Sequence, residues 1–252
     1  MALYAILKTL GISEGDEVIL PGYTCVMNVN PIMYLGARPI YVDIDPVTYN
    51  MDASLIEARI TSRTRAIIAQ HTYGYPAPLD EILAIANRHQ LPVLEDCCLA
   101  LGARYKGRLV GTIGTAGYFS SQWNKPYTTG IGGLAITSNT ELALKIEDLC
   151  ARERITPGTK ETSMLAAQLI VYRTFVYPRT TALITNAFRW LTSRGVVVGS
   201  SDNSEFVPRI ALDFFKGMSG IQQGAGRRQL RKLNANIAHR REMTCIYDGL
   251  LT

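Results

Sequence analysis

The sequence lacks the features of a secreted, disulfide-linked or membrane-spanning chain. Its five cysteines are odd in number and show no CxxC spacing, and no charged segment with a cleavage site opens the chain. We therefore expect reduced thiols and a cytoplasmic protein. No apolar run approaches the ~18 residues that a spanning helix needs. The most apolar region, residues 164–191, is interrupted by Arg173, Arg179 and Arg189. Membrane contact is accordingly not expected.

Acidic and aromatic residues are both missing from one basic segment. Residues 216–241 carry seven Lys or Arg residues and no Asp or Glu, whereas the whole chain has a net charge of only +5. Such a segment suits nucleic-acid phosphates, an acidic substrate, a partner subunit or a solvated helix face. Because the segment has no aromatic side chain on which bases can stack, nucleic-acid binding is not expected. A solvated helix face is the favoured interpretation.

The first two thirds of the chain alternate short β-rich runs with helical patterns, as at residues 79–89. Strands alternating with helices favour parallel pairing, and runs without polar alternation indicate strands covered on both faces. The sequence of 252 residues, 47% of them hydrophobic, therefore predicts an α/β fold with three layers and a mostly parallel sheet. The predicted strands are residues 17–20, 39–42, 66–69, 92–94, 117–119 and 134–137.

The pattern changes after a predicted helix at residues 139–153. Residues 156–208 lack strand alternation and carry a helix-like apolar segment, which predicts a helical insertion. A single long helical stretch is predicted at residues 218–251. The expected division is a large domain at 1–155, a helical insertion at 156–215 and a basic long helix at 216–252.

Two short motifs match known ligand-binding spacings, but their positions relative to the predicted strands argue against binding. Gly130, Gly132 and Ala135 match GxGxxA, but this spacing precedes a predicted strand, whereas a dinucleotide site requires it to follow one and open a helix. Asp43 and Asp45 resemble a metal-binding DxD, yet the turn preference of Asp favours a strand-to-turn junction. No metal site is predicted.

A lysine, an acid and a hydroxyl each follow a predicted strand. Asp96 ends the run PVLED, and Ser120 and Lys125 come after the strand at 117–119. Ligands of such sheets bind at the carboxyl ends of the strands. Pyridoxal 5'-phosphate needs a lysine for its Schiff base, an acid that keeps the pyridine nitrogen protonated and a hydroxyl for its phosphate. On the residues alone, a surface lysine at position 125 remains the alternative.

The sequence resembles the sugar aminotransferases of the DegT/DnrJ/EryC1/StrS family, which have fold type I and depend on pyridoxal phosphate. The resemblance rests on segments such as GDEVILPGYT, TRAIIAQHTYGYPAPLDEILAIANRH, LPVLEDC and GMSGIQQGAGRRQLRKLNANIAHRREM, and covers most of residues 2–150 and 216–251. It implies that Lys125 is the Schiff-base lysine, that Asp96 pairs with the pyridine nitrogen and that Ser120 binds the phosphate.

The sequence departs from the family pattern at three positions. Leu99 stands where a glutamine commonly approaches the cofactor's phenolic oxygen, and Phe215 where an asparagine commonly reaches the partner subunit's phosphate. Cys25 takes the cofactor-binding position of the aromatic residue that commonly stacks on the ring, for which Tyr23 and Tyr73 are candidate substitutes.

The resemblance implies transfer of an amino group from an amino acid, with glutamate the expected donor, to a nucleotide-linked keto-sugar in polysaccharide or secondary-metabolite biosynthesis. A homodimer is expected. A sugar dehydratase is disfavoured because a histidine marks those enzymes and Lys125 is present. The small C-terminal domain and an upstream turn of the family are expected to be missing, so that the chain binds the cofactor poorly. The alternative is a truncated member that acts as a non-catalytic interaction or regulatory module.

Overall fold

The computed structural model describes residues 1–176, 179–194, 209–211 and 214–251. The chain forms two compact units. The first contains Met1–Ser120, Gly133–Ile155 and Asp202–Lys216, and the second contains Ser121–Gly132, Thr156–Ser201 and Gly217–Thr252. The segment with Lys125 thus leaves the first unit between two strands and belongs to the second.

A six-stranded sheet forms the centre of the first unit. Its strands are β1 (Glu17–Pro21), β2 (Arg38–Val42), β3 (Thr64–Gln70), β4 (Val93–Asp96), β7 (Ala116–Ser120) and β8 (Gly133–Ile136). They lie in the order β2-β1-β3-β4-β7-β8, and every neighbouring pair is parallel except β7 with β8. Two short strands, β5 (Arg104–Tyr105) and β6 (Arg108–Leu109), form a separate antiparallel pair. The predicted α/β fold with a mostly parallel sheet is confirmed.

Helices cover both faces of this sheet, which explains why its strands lack polar alternation. Successive strand residues point to opposite faces. Val18 and Leu20 of β1 pack in one cluster with Ile6 of the first helix, whereas Ile19 packs in another cluster with Ile82. Full burial of each such side chain contributes about 1.5–3 kcal/mol. The unit therefore has the three predicted layers.

The helices of the first unit are α1 (Ala2–Thr9), α2 (Val26–Tyr34), α3 (Leu79–Arg88) and α4 (Thr140–Glu153). The helices predicted at residues 79–89 and 139–153 are confirmed as α3 and α4, whereas α1 and α2 were not predicted. Helix α4 begins after Asn139, whose side-chain oxygen accepts a 3.0 Å hydrogen bond from the N–H of Leu142. This bond satisfies one of the free donors of the first turn.

The described part of the second unit is mainly helical, with α5 (Thr159–Phe175), α6 (Thr181–Ser193), α7 (Gly220–Leu230) and α8 (Leu233–Leu251). The single long helix predicted at 218–251 is therefore wrong, because the structure has two helices there. The N–H of Lys232 donates to Gln229 O, a tighter three-residue step that ends the first of them. None of the described helices combines the length and the apolar character needed to cross a bilayer.

Candidate functional site

Asp96 lies at the carboxyl end of β4, where a parallel sheet places its ligands. The residue is only 6% exposed. Its Oδ1 accepts a 2.9 Å hydrogen bond from the N–H of Cys98, and its Oδ2 accepts one of 2.6 Å from Asn28 Nδ2. Among the residues that the structure describes, no Lys, Arg or His forms an ion pair with Asp96. A buried carboxylate held only by neutral donors is suited to receive a cationic N–H group.

Asn28, on α2, connects Asp96 to two further side chains. The hydroxyl of Tyr118, on β7, donates to Asn28 Oδ1 at 3.0 Å, and Asn28 Nδ2 also donates to Thr24 Oγ1 at 2.8 Å. Burial, followed by the negative charge of Asp96, raises the pKa of Tyr118 well above its ordinary value. The phenol therefore stays protonated and remains a hydrogen-bond donor.

Gln70, at the end of β3, extends the network along the same edge. Its Oε1 accepts a 2.5 Å hydrogen bond from Thr24 Oγ1, and its Nε2 donates to Thr72 Oγ1 at 2.9 Å and to Tyr23 O at 3.0 Å. The sequence interpretation did not select Asn28, Gln70 or Tyr118 as functional residues. For Gln70, its position as the last residue of a strand was an available signal.

Two other predicted site residues lie at this edge of the first unit. Ser120 is the half-buried last residue of β7, the strand beside β4, and pairs with Gly133 of β8. Cys25 is exposed and precedes the first residue of α2, directly after Thr24. The structure thus places Asp96, Ser120 and Cys25 on the carboxyl side of neighbouring elements. Their contacts with a cofactor stay predictions.

Three tyrosines form an exposed aromatic cluster on the loops that follow this edge. The ring centroids of Tyr23, Tyr49 and Tyr73 lie 5.9–6.4 Å apart, and the hydroxyls of Tyr23 and Tyr73 share a hydrogen bond. Tyr49 and Tyr73 have φ values of 58° and 53°, a left-handed conformation that costs roughly 1–3 kcal/mol per residue. The two predicted substitutes for a stacking aromatic are therefore in contact with each other, and the sequence did not indicate Tyr49.

Lys125 lies in the second unit, in the loop Ser121–Gly132. The residue is half-buried, and its backbone N–H donates to the backbone oxygen of Gln122 at 3.0 Å. Two glutamines of α7 hold the loop. Gln222 Nε2 donates to Ile131 O at 2.7 Å, and Gln229 Oε1 accepts from the N–H of Thr128 at 3.0 Å. The backbone of the loop that carries Lys125 is thus held at two residues by side chains of α7.

Gln222 has a second role that the sequence pattern could have revealed. Its Oε1 accepts from the N–H of Ser219 at 2.9 Å, and Ser219 Oγ accepts from the N–H of Gln222, which together form a capping box at the start of α7. The spacing Ser-x-x-Gln is the signature of this motif. The cap fixes the helix end that presents Gln222 to the lysine loop.

His71, Glu95 and Cys97 form a buried cluster whose ligand atoms lie within 4.8 Å of one another. All the ring nitrogens and carboxylate oxygens of this cluster are engaged. His71 Nδ1 accepts from the N–H of Ala77, and Glu95 accepts from His71 Nε2 and from backbone N–H groups of the loop 111–114. These hydrogen bonds explain the cluster as a structural one.

The family model described as the DegT/DnrJ/EryC1/StrS aminotransferase family matches residues 1–167. The chain belongs to this family. Its enzymes are aminotransferases that depend on pyridoxal phosphate. The resemblance inferred from the sequence is confirmed.

Curated relatives of the chain act on sugars and cyclitols, by their names. It is 47% identical over 142 residues to a GDP-perosamine synthase of Escherichia coli O157:H7, covering 56% of this chain and 39% of that protein. It is 44% identical over 158 residues to an L-glutamine:2-deoxy-scyllo-inosose aminotransferase of Streptoalloteichus tenebrarius, covering 63% of this chain and 37% of that protein. The matched part of the chain thus spans less than two fifths of either relative.

A solved aminotransferase from Psychrobacter cryohalolentis is similar to most of the length of the chain. It covers 92% of this chain and 49% of its own chain, with a TM-score of 0.65 and 30% sequence identity.

The residues present fit the family's cofactor. The buried Asp96 carboxylate has no cationic partner among the described side chains, and Ser120 offers a hydroxyl on the adjacent strand.

Proposed function

We propose that the chain transfers an amino group from an amino acid to the carbonyl of a sugar with the help of pyridoxal phosphate. The names of the relatives support amination of a sugar or cyclitol, and one of them names L-glutamine as the donor. We further propose that the acceptor is a nucleotide-linked keto-sugar, as the name of the GDP-perosamine synthase suggests. The donor is then glutamate or its amide, glutamine.

The observation that carries the proposal is the environment of Asp96. Asp96 is only 6% exposed, and a buried charge without a partner destabilises a fold. The two donors that contact it, Cys98 N–H and Asn28 Nδ2, are both uncharged. A protonated pyridine nitrogen would be the cationic partner that this carboxylate lacks among the described side chains.

The proposed roles follow from this pairing. When bound, pyridoxal phosphate supplies an electron-withdrawing ring. Asp96 would hold the proton on the ring nitrogen, and the Ser120 hydroxyl would donate a hydrogen bond to a phosphate oxygen. Lys125 would hold the cofactor through Nζ, and its amine would serve as the group that accepts and donates the transferred proton.

Exposed basic side chains suggest how a nucleotide-sugar substrate is attracted. The basic side chains of α7 and the following turn, Arg227, Arg228 and Arg231, are exposed and can attract the diphosphate of a nucleotide sugar. We propose a homodimer, in line with fold type I enzymes, and no role for nucleic acid.

Reduction with borohydride tests the function and the lysine together. The chain is mixed with pyridoxal phosphate, reduced and digested, and we expect the pyridoxyl group on Lys125. A Lys125→Arg variant should lose this adduct, while Lys145→Arg, in a surface ion pair with Glu141, should keep it. An adduct on another lysine would remove Lys125 from the mechanism. A chain that acts only as a non-catalytic module would show no visible cofactor band and no bleaching by glutamate or glutamine.

A further inference from the structure

The hydrogen-bond chain Tyr118–Asn28–Asp96 has a fixed direction. Tyr118 is 3% exposed, and its hydroxyl donates to Asn28 Oδ1. This bond uses the carbonyl oxygen of the Asn28 side chain and turns the amide nitrogen towards Asp96 Oδ2 and Thr24 Oγ1. A rotation of the amide by half a turn would place an oxygen against the carboxylate, so the orientation shown is strongly favoured.

The hydrogen-bond chain from Tyr118 through Asn28 reaches only one oxygen of Asp96, Oδ2. The other oxygen, Oδ1, is held by the N–H of Cys98. An ionised carboxylate has about four lone-pair sites, so each oxygen keeps capacity for a further donor. Because Tyr118 and Asn28 are uncharged, they fix the carboxylate without neutralising it. An arginine or a lysine at the same place would compete with any cation that binds.

We propose that Tyr118 and Asn28 are positioning residues, which hold the Asp96 carboxylate in the orientation that receives the protonated ring nitrogen of the cofactor. This inference rests on the proposed function. Neither residue touches the cofactor in this scheme; both act through Asp96. Asn28 is the direct support, and Tyr118, on the strand beside β4, keeps the Asn28 amide in its productive orientation.

Titration with pyridoxal phosphate, followed by visible absorption, tests the inference on the whole chain. Tyr118→Phe removes one hydroxyl and keeps the ring, and we expect it to raise the Kd about 3- to 10-fold, the range of one neutral hydrogen bond. Tyr41→Phe is the matched control, because Tyr41 is a half-exposed residue of β2. We expect it to leave the Kd unchanged. Asn28→Asp, which sets an acceptor against Asp96, should weaken binding more than Tyr118→Phe does.

A double variant separates positioning from a general structural role. In an Asp96→Asn background there is no carboxylate to orient, so Tyr118→Phe should cause no further loss of affinity. An equal fold-loss in both backgrounds, or an unchanged Kd in the single variant, would overturn the inference and leave the proposed function standing. No binding at all by the unaltered chain would overturn the proposed function, and the inference with it. Urea unfolding midpoints of all variants show whether the sheet is intact.

Discussion

Glu95 supports the structure beneath the site through four hydrogen bonds. The side chain is fully buried, with Oε1 accepting from the N–H groups of Ile113 and Gly114 at 2.7 and 2.6 Å. Oε2 accepts from the N–H of Gly111 at 2.7 Å and from His71 Nε2 at 3.2 Å. His71 Nε2 carries the ring hydrogen because Nδ1 accepts from a backbone N–H. The carboxylate therefore closes the loop after β6 onto the end of β4.

Glu95→Gln keeps the shape of the side chain but replaces one acceptor oxygen with an NH₂ donor. Whichever oxygen the amide keeps, two donors face the new NH₂ group and lose their acceptor. Hydrogen bonds to charged groups contribute about 1.5–3 kcal/mol each, so the expected loss in the free energy of unfolding is about 3–6 kcal/mol. Since a domain is stable by roughly 5–15 kcal/mol, this single change should bring the first unit close to unfolding.

Urea unfolding monitored by circular dichroism measures this loss. The matched control is Glu57→Gln, because Glu57 is exposed and pairs with Arg88 at 2.9 Å on the surface. Exposed ion pairs contribute at most about 1 kcal/mol, so the control should unfold at nearly the same urea concentration as the unaltered chain. A loss of less than about 1 kcal/mol in Glu95→Gln, or a loss equal to the control's, would refute the reasoning.

The pH dependence of the free energy of unfolding tests the same role of Glu95. Burial alone would raise the pKa of Glu95, but the hydrogen bonds from His71, Gly111, Gly114 and Ile113 outweigh it, and the pKa is lowered. A carboxylate with a lowered folded pKa stabilises the fold above its unfolded pKa of about 4.3, and that contribution is lost as pH falls through the folded pKa. The unaltered chain should therefore lose stability more steeply below pH 4 than Glu95→Gln does.

Two further outcomes follow from close packing around the same loop. Gly117→Ala would place a Cβ 2.5 Å from backbone, which cannot yield as a flexible side chain would, so we expect a loss of about 1–3 kcal/mol in urea unfolding. Gly158→Ala, which meets nothing within 4 Å, should change stability by less than about 0.5 kcal/mol. Burial, followed by the charges of two neighbouring carboxylates, raises the pKa of the Cys97 thiol, so a thiol reagent at pH 8 should label the exposed Cys25 but reach Cys97 only in urea. Rapid labelling of Cys97 in the folded chain would contradict its burial.

The strands of the six-stranded sheet were predictable because their apolar runs carry the information locally, whereas the two-residue strands β5 and β6 were not predicted. Asp96 could be selected for a similar reason, since an acid that ends a buried run stands out from the residues before it. Asn28 could not, because a polar residue in a helical pattern usually faces water, and three of its partners, Gln70, Asp96 and Tyr118, lie 42 to 90 residues away in sequence. The break between α7 and α8 has no proline to mark it. It depends on a local change in hydrogen-bond spacing at Lys232, which residue type does not encode.

The support of the lysine loop by α7 has a consequence for the order in which the chain is made. Gln222 and Gln229 are synthesised 91 and 101 residues after the loop residues that they bind. At roughly 5–20 residues per second, the ribosome adds that length in about 5–20 s. During this interval the sheet strands up to β7 can already pair, while Thr128 N–H and Ile131 O still lack the hydrogen bonds that the two glutamines provide. The loop that carries Lys125 therefore gains the support of α7 only after residue 229 has been added, and the proposed attachment of a cofactor at this lysine would follow that step.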